Sequence, residues 1–310
     1  MKQRSEAYKM VLRRLITSAL LVSANLMPGM GRSTRGDDKA REVIGQARTA
    51  IGGEAQLAAI TSLQVESKFS RVMGDQTVTG DVQVSVMLPD KYKQVETTSM
   101  LGGSVEMTRT TALDGAEAWT DTGTSGGATA IVRFGGPKVS EAEAKRALQK
   151  AQRAEFARSM IAWLLASPGS FPVEFSYAGE GATDKGSFDM VDATGPEDFS
   201  VRIFLDKQTH IPALLSYRGV QPRMMMKTME GGGSPEDAEK KAKQETENRA
   251  SELPKPDPVE IQILLSDYKP EGGILLPHKL VKAAGGNTFE EVEITKYKIN
   301  PSLKPQSFKK

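Results

Sequence analysis

The stretch SEAEAKRALQKAQRAEFARSMIAWLLA, Ser140 to Ala166, is the one long helical pattern in a chain that otherwise reads as strands. Ser140 followed by Glu143 makes a capping box, in which each side chain satisfies an orphan amide at the helix start. Ala144, Ala147, Leu148, Ala151 and Ala154 then keep to a 3.6-residue stripe, with Lys145, Arg146, Gln149, Lys150, Gln152 and Arg153 on the other side. This first half reads as a surface helix. After Glu155 the pattern changes: Phe156, Met160 and Trp163 add a second apolar face beside Ala157, Ile161, Leu164 and Leu165, leaving Arg158 and Ser159 as polar exceptions. A helix apolar on most sides is buried on most sides. Ser167, Pro168 and Gly169 stop it, because proline cannot continue the hydrogen-bond ladder.

Around this helix the apolar period is two. Leu63, Val65 and Phe69 alternate with polar residues, as do Val78, Val82, Val84, Val86 and Leu88 before a turn at Pro89-Asp90. Tyr92–Thr98 and Ser104–Ala112 continue the meander, and Asp114-Gly115 is a two-residue hairpin turn leading to Ala118 and Trp119. Thr122–Ala128 reads as a Gly/Thr/Ser loop. Beyond the helix, Phe171–Tyr177, Gly186–Val191, Phe199–Leu205, His210–Val220, Val259–Tyr268, Leu275–Ala283 and Thr288–Ile299 supply further strands. Short strands joined by tight turns fit an antiparallel sheet, since parallel pairs need long crossovers. Ahead of the strands, Val43, Ile44, Ala47 and Ile51 mark a first helix that Asp37 or Asp38 caps and Gly52-Gly53 ends. The fold class expected is α+β: a strongly curved antiparallel sheet, an incomplete β-barrel, wrapped around and closed by helices.

Residues 37–310 read as a single domain. The segment from Gly231 to Pro258 is glycine-rich at its start, proline-rich at its end and free of aromatics, so it reads as an exposed excursion between strands. Residues 1–36 read as a signal peptide and leader. Lys2, Arg4, Lys9, Arg13 and Arg14 precede the apolar run Leu15–Leu26, and small residues at Val22 and Ala24 predict cleavage near Ala24. Twelve helical residues span about 18 Å, too short for a bilayer core of about 30 Å. The expected location is therefore the periplasm, with no integral membrane span.

The formal charge is only +2, and the first 24 residues carry +4 of it, so the remainder has no basic excess for neutralising phosphates. Nucleic acid is not an expected partner. The chain has no cysteine, which excludes disulfides, thiolate metal sites and a cysteine nucleophile, and it has only two histidines, His210 and His278. No cofactor or metal is expected. Acidic residues are plentiful, but those in the alternating strands fall mostly on the solvated face, so no pair of carboxylates is marked out for hydrolysis.

Several motifs carry a family likeness. They are an Ala/Arg-rich first helix ending in Gly52-Gly53, the run Leu57-Ala58-Ala59-Ile60-Thr61-Ser62-Leu63, Leu113-Asp114-Gly115 with Trp119, and Asp206-Lys207-Gln208-Thr209 before Pro212. Ser266-Asp267-Tyr268, Gly273 with Leu276-Pro277-His278, Ile299-Asn300-Pro301 and Phe308 follow in order. Over residues 38–310, apart from the excursion, the chain resembles the LolA-like envelope proteins, the outer-membrane lipoprotein carriers and sorting proteins. The resemblance implies an apolar concavity able to hold a lipid or acyl chain, and a non-enzymatic role. Trp119, Met160, Trp163, Phe175 and Ile203 are the residues expected to line it. Met87, Met100, Met107, Met190, Met224, Met225, Met226 and Met229 are further candidates, because unbranched thioethers repack around variable ligands. The alternative is an envelope protein-interaction or sensing module with a packed interior, meeting a partner protein through its surface.

Overall fold

The computed structural model of the chain describes residues 34–74, 76–100, 103, 105–126, 131–134, 140–183, 186–220, 224–227 and 257–310. The expected leader falls almost wholly outside them, as does the excursion apart from Asp257 and Pro258. Helix α1 (Thr34–Ala50) and the short α2 (Glu54–Ala58) lead into five strands: β1 (Ser62–Met73), β2 (Gln76–Met87), β3 (Lys91–Met100), β4 (Val105–Asp114) and β5 (Glu117–Gly126). After β6 (Ile131–Phe134) comes α3 (Glu141–Leu164), then β7 (Glu174–Thr183), β8 (Gly186–Gly195), β9 (Phe199–Asp206), β10 (Pro212–Gly219) and β11 (Met224–Lys227). β12 (Val259–Glu271), β13 (Ile274–Ala284), β14 (Asn287–Ile299) and a 3-10 turn (Pro305–Phe308) complete the order.

Twelve strands form one antiparallel sheet in the order β5-β4-β3-β2-β1-β14-β13-β12-β10-β9-β8-β7, and β6 pairs with β11 separately. The sheet is not closed: β5 and β7 are its two ends. β5 runs to Gly126, so Thr122–Gly126, expected as loop, is strand; its threonines favour the pleated surface. The side chains of one helical turn show the bend of the sheet. Gln149 donates to the Ala116 carbonyl in the β4–β5 turn (2.8 Å), and Arg153 reaches Glu197 in the β8–β9 turn (2.9 Å). Laid flat, β4 and β9 would lie roughly 38 Å apart at about 4.8 Å per strand. The sheet is therefore strongly curved.

Cross-strand register fixes which residues face inward. One row runs Tyr177, Val191, Ile203, Leu215, Ile263, Lys282, Glu290 and Arg71, from β7 to β1. Another runs Ile299, Leu63, Val86, Tyr92, Leu113 and Ala118, from β14 to β5. The apolar members of both rows join one core with α1, α2 and the second half of α3. Smaller apolar clusters lie apart from this core, one of them built from Phe188, Met190, Phe204 and Leu214.

α3 begins where the sequence predicts. The Ser140 side chain accepts from the Glu143 amide and the Glu143 carboxylate accepts from the Ser140 amide, closing the capping box. Its first half departs from the expected stripe: Ala144, Ala147 and Ala151 are exposed, and only Leu148 and Ala154 touch the core. Alanine's helix propensity and the cap suffice to hold these turns without burial. From Phe156 to Leu164 the helix is buried as expected.

Candidate functional site

The apolar half of α3 supplies one wall of the candidate site. Phe156 packs against Tyr92 of β3 with ring centroids 5.5 Å apart. Trp163 meets Tyr297 of β14 edge-on at 6.5 Å, and Tyr297 meets His278 at 5.3 Å. Edge-to-face pairs of this kind suit the ring quadrupoles. His278 is buried, with Nδ1 3.1 Å from the Leu276 carbonyl and Nε2 3.2 Å from Glu271. The Trp163 Nε1 is buried without a hydrogen-bond partner, a polar atom left facing an apolar interior.

Four of the five expected lining residues belong to the core that the apolar half of α3 joins. Met160, Trp163 and Ile203 are in the core, and Phe175 packs against it. Trp119 does not join them. Its neighbour Ala118 takes the inward position, so the alternation of β5 turns Trp119 to the opposite face, where Nε1 donates to the Phe308 carbonyl (2.8 Å). Met190, too, lies away from this core, in the separate cluster with Phe188. Met229 lies outside the described residues. Three of those four residues are tightly packed, Met160 1% exposed, Ile203 0% and Trp163 6%, while Phe175 is half-buried. Two surface cavities, of about 300 Å³ beside Ile60 and Ile299 and about 350 Å³ beside Lys68 and Glu293, are lined by none of the five.

The helix is tied down differently at its two ends. At its C-terminus Leu165 adopts a left-handed conformation (φ 50), and the Arg48 Nη1 of α1 donates to the Leu164 and Leu165 carbonyls at 3.0 Å each. A cation at this end also complements the helix dipole, and Glu54 holds the guanidinium in place at 2.6 and 2.9 Å. Towards the N-terminus, Lys145–Glu117, Lys150–Asp198 and Arg153–Glu197 are ion pairs open to solvent.

Sequence reading did not identify a group of charged residues on the same inward face. Glu290 is 5% exposed and sits between Arg71 and Lys282, accepting from Arg71 Nε and from Lys282 Nζ (2.7 Å). The two Arg71 Nη atoms bind Glu96 in a fork at 2.8 and 3.0 Å, and the guanidinium stacks 4.6 Å from the Phe69 ring. That ring lies over Gly80, where a Cβ would come within 2.8 Å of it. On α3, Glu155 holds Arg158 at 2.9 Å, and Arg158 lies 4.5 Å over the Tyr217 ring. Burial alone would raise the Glu290 carboxyl; the Lys282 and Arg71 cations outweigh it and bring it down to about 2. Glu155 is lowered too, with burial outweighed by Arg158 and Lys282. Lys282 is raised despite burial, chiefly by Glu290 and then Glu155. Arg109 of β4 behaves oppositely: burial, helped by nearby Arg71, lowers it against the pull of Glu96. The sequence signal was present. Arg71 follows Val65, Ser67 and Phe69 in phase, and Glu96 follows Tyr92 and Gln94.

Among the described residues no three His, Asp or Glu side chains converge to hold a metal, and no helix is long and apolar enough to cross a membrane.

No family model matches the chain, and no curated protein matches its sequence. Solved structures do. The LolA superfamily protein NE2245 from Nitrosomonas europaea is 10% identical, over 87% of this chain and 97% of that one, with a TM-score of 0.47. A domain from Vibrio parahaemolyticus described as an outer membrane lipoprotein-sorting protein is 7% identical, over 88% and 97%, at 0.43. A DUF1329 family protein from Desulfovibrio piger is 10% identical, over 87% and 97%, at 0.44.

Proposed function

We propose that the chain is a non-enzymatic envelope protein of the carrier or sorting kind, which takes the acyl chain of a lipid or lipoprotein between the apolar half of α3 and the inner face of the sheet. In this reading the curved sheet wraps the second half of α3, and the helices close its open side. Export through residues 1–36, with cleavage near Ala24, places the protein in the periplasm. One observation carries the proposal. The apolar half of α3 is seated on an unclosed sheet, while its first half is held to the sheet's flanks by solvent-open polar contacts. Such contacts are individually weak, and an acyl chain gains about 0.8 kcal/mol for each methylene moved out of water. A ligand that replaced α3's apolar contacts would therefore meet little resistance from the flanks.

The close packing of Met160, Trp163 and Ile203 favours a second reading, in which the interior is plain core and the surface meets a partner protein. One experiment separates them. The chain has two tryptophans, so Trp119→Phe leaves Trp163 as sole reporter. A brominated fatty acid is expected to quench its fluorescence saturably, and native mass spectrometry of protein from an envelope fraction is expected to show an acylated adduct. Unquenched Trp163 and a clean unliganded mass overturn the carrier reading in favour of the interaction module.

A further inference from the structure

The wall of the sheet comes apart at one place. β13 pairs with β14 from Ala284–Asn287 to Lys279–Glu293, and among the described residues no pair of these two strands lies beyond that point. Both strands go on: β13 stays paired with β12 as far as Ile274, and β14 stays paired with β1 as far as Ile299. A seam runs between them over residues 274–278 of β13, about 17 Å at 3.4 Å per residue. The sequence sets its position. A bulge leaves Thr295 of β14 unpaired between Ile294 and Lys296 and bends that strand, and Pro277 of β13 has no amide to give to a ladder.

We propose that this seam is the port through which an acyl chain crosses the sheet to reach Trp163, with Tyr297 as its gate. The inference rests on the acyl-binding reading and adds a route to it.

The first argument is how the seam is closed. The Tyr297 hydroxyl donates across it to the Pro277 carbonyl (2.6 Å), and the Leu275 amide turns instead to the Ile51 carbonyl just after α1 (2.7 Å). Strand-edge groups that would be costly to orphan are thus met without a ladder to β14. The two strands part by losing one side-chain hydrogen bond rather than a row of backbone ones.

The second argument is what the seam leads to. Leu276 on one side and Ile294 on the other are buried members of the main core. The gate residue touches the proposed binding wall directly, since the Tyr297 ring meets Trp163 edge-on at 6.5 Å, and the Trp163 Nε1 is the buried atom without a partner. The seam gives the way in; α3 still has to yield for the chain to lie along it.

The third argument is the chemistry at its two ends. The cavity of about 300 Å³ at the foot is lined by Ile274 and Ile299, one from each strand, with Ala55, Ala59 and Ile60 beside them. No charged side chain lines it, and the Asn300 amide there is already bound to Thr61 and Ala59. The cavity of about 350 Å³ at the head is lined instead by Lys68, Lys279, Asp267, Glu291 and Glu293, among others. An apolar chain displaces little polar hydration at the foot and much at the head. The foot is the entrance, and what it takes is a single uncharged chain.

The test is stopped-flow mixing of the Trp119→Phe protein with a dibrominated stearic acid below its micellar concentration, reading the rate at which Trp163 is quenched. With a gate, the rate levels off at high ligand at the rate of opening. Tyr297→Phe keeps the ring and removes the hydrogen bond, and is expected to raise that plateau about 2- to 10-fold, the factor that the net worth of one hydrogen bond allows. Tyr268→Phe removes a matching bond outside the seam, to the Pro212 carbonyl (2.7 Å), and is expected to leave the plateau unchanged. Ala55→Phe fills the foot from an exposed position and is expected to slow quenching at low ligand several-fold, with the thermal midpoint retained. No quenching at any ligand concentration overturns the acyl reading and the port together. Quenching that never levels off, that has the same plateau in Tyr297→Phe, that rises equally in Tyr268→Phe, or that ignores Ala55→Phe overturns the port and leaves the acyl reading standing. A plateau raised by Arg153→Gln instead of Tyr297→Phe moves the entrance to the flank of α3 and overturns it as well.

Discussion

The first turns of α3 and its last turns share one backbone geometry and stay folded for different reasons. From Ser140 to about Glu155 the helix is mostly exposed and depends on a capping box, alanine propensity and ion pairs with Glu117, Asp198 and Glu197. From Phe156 onward it is buried against the sheet, and Arg48 finishes it by binding the last carbonyls. The energy of the contact is therefore concentrated at one end, and the other end is tied only by solvent-open ion pairs.

The sharpest way to break the comparison is at the buried end. Phe156 is 0% exposed and packs on Tyr92. Phe156→Ala is expected to cost about 3–5 kcal/mol, the transfer term plus the cavity left behind, read as a fall in the urea midpoint. A loss under about 1 kcal/mol would mean that the helix lies loosely on the sheet, contrary to its burial.

The next effect comes from the charged end of the same face. Glu290→Gln leaves Arg71 and Lys282 without their shared carboxylate, and losing one partner of a buried pair costs about 3 kcal/mol. The pH dependence supplies its signature. Glu290 titrates at about 2 in the fold against an ordinary 4.5, so its contribution is complete above pH 4.5 and disappears as pH falls towards 2. Urea titrations from pH 5 to pH 2 should show a shallower acid loss in Glu290→Gln than in the parent chain. Identical slopes would place Glu290 outside the network.

These two residues also show what the sequence could and could not reveal. Phe156 was legible because a helix that changes from one apolar face to two must change its surroundings, and the cap at Ser140 fixed the phase. The strands were legible as alternation, and so were most of the turns. Glu290 was not, and Glu96 was passed over despite its phase behind Tyr92 and Gln94, because alternation identifies a buried face from its apolar members and assigns the charges by default to water. Two cations per carboxylate are what make the exception affordable at Glu290, and cross-strand pairing is invisible until the register is known. Trp119 was misplaced for a related reason: size suggested the core, but Ala118 holds the inward position of that row. The alanine stripe of the first half of α3 has the right period but nothing opposite it to bury against.

A smaller effect is expected at the helix start. Ser140→Ala removes the acceptor for the Glu143 amide, an N-cap loss worth about 1 kcal/mol. If the two halves are energetically separate, the loss should fall on local opening more than on global stability. Hydrogen exchange should then accelerate at amides 143–150 and stay unchanged at 157–164. Equal acceleration in both windows would show that α3 opens as one unit.

The smallest effect is expected at the flank contacts, and it decides whether α3 can move. Arg153 and Glu197 are each about a third exposed, 2.9 Å apart, and Lys150–Asp198 is more open still. Exposed pairs of this kind couple by about 0.2–1 kcal/mol and weaken with salt. A double-mutant cycle of Arg153→Gln and Glu197→Gln should give a coupling near about 0.5 kcal/mol that shrinks further at 1 M salt. A coupling several times larger would mean that the first half of α3 is clamped to the sheet's flanks. In the proposed acyl-binding reading the ligand would then have to break that clamp before reaching Trp163, and the energetic division within the helix would fail.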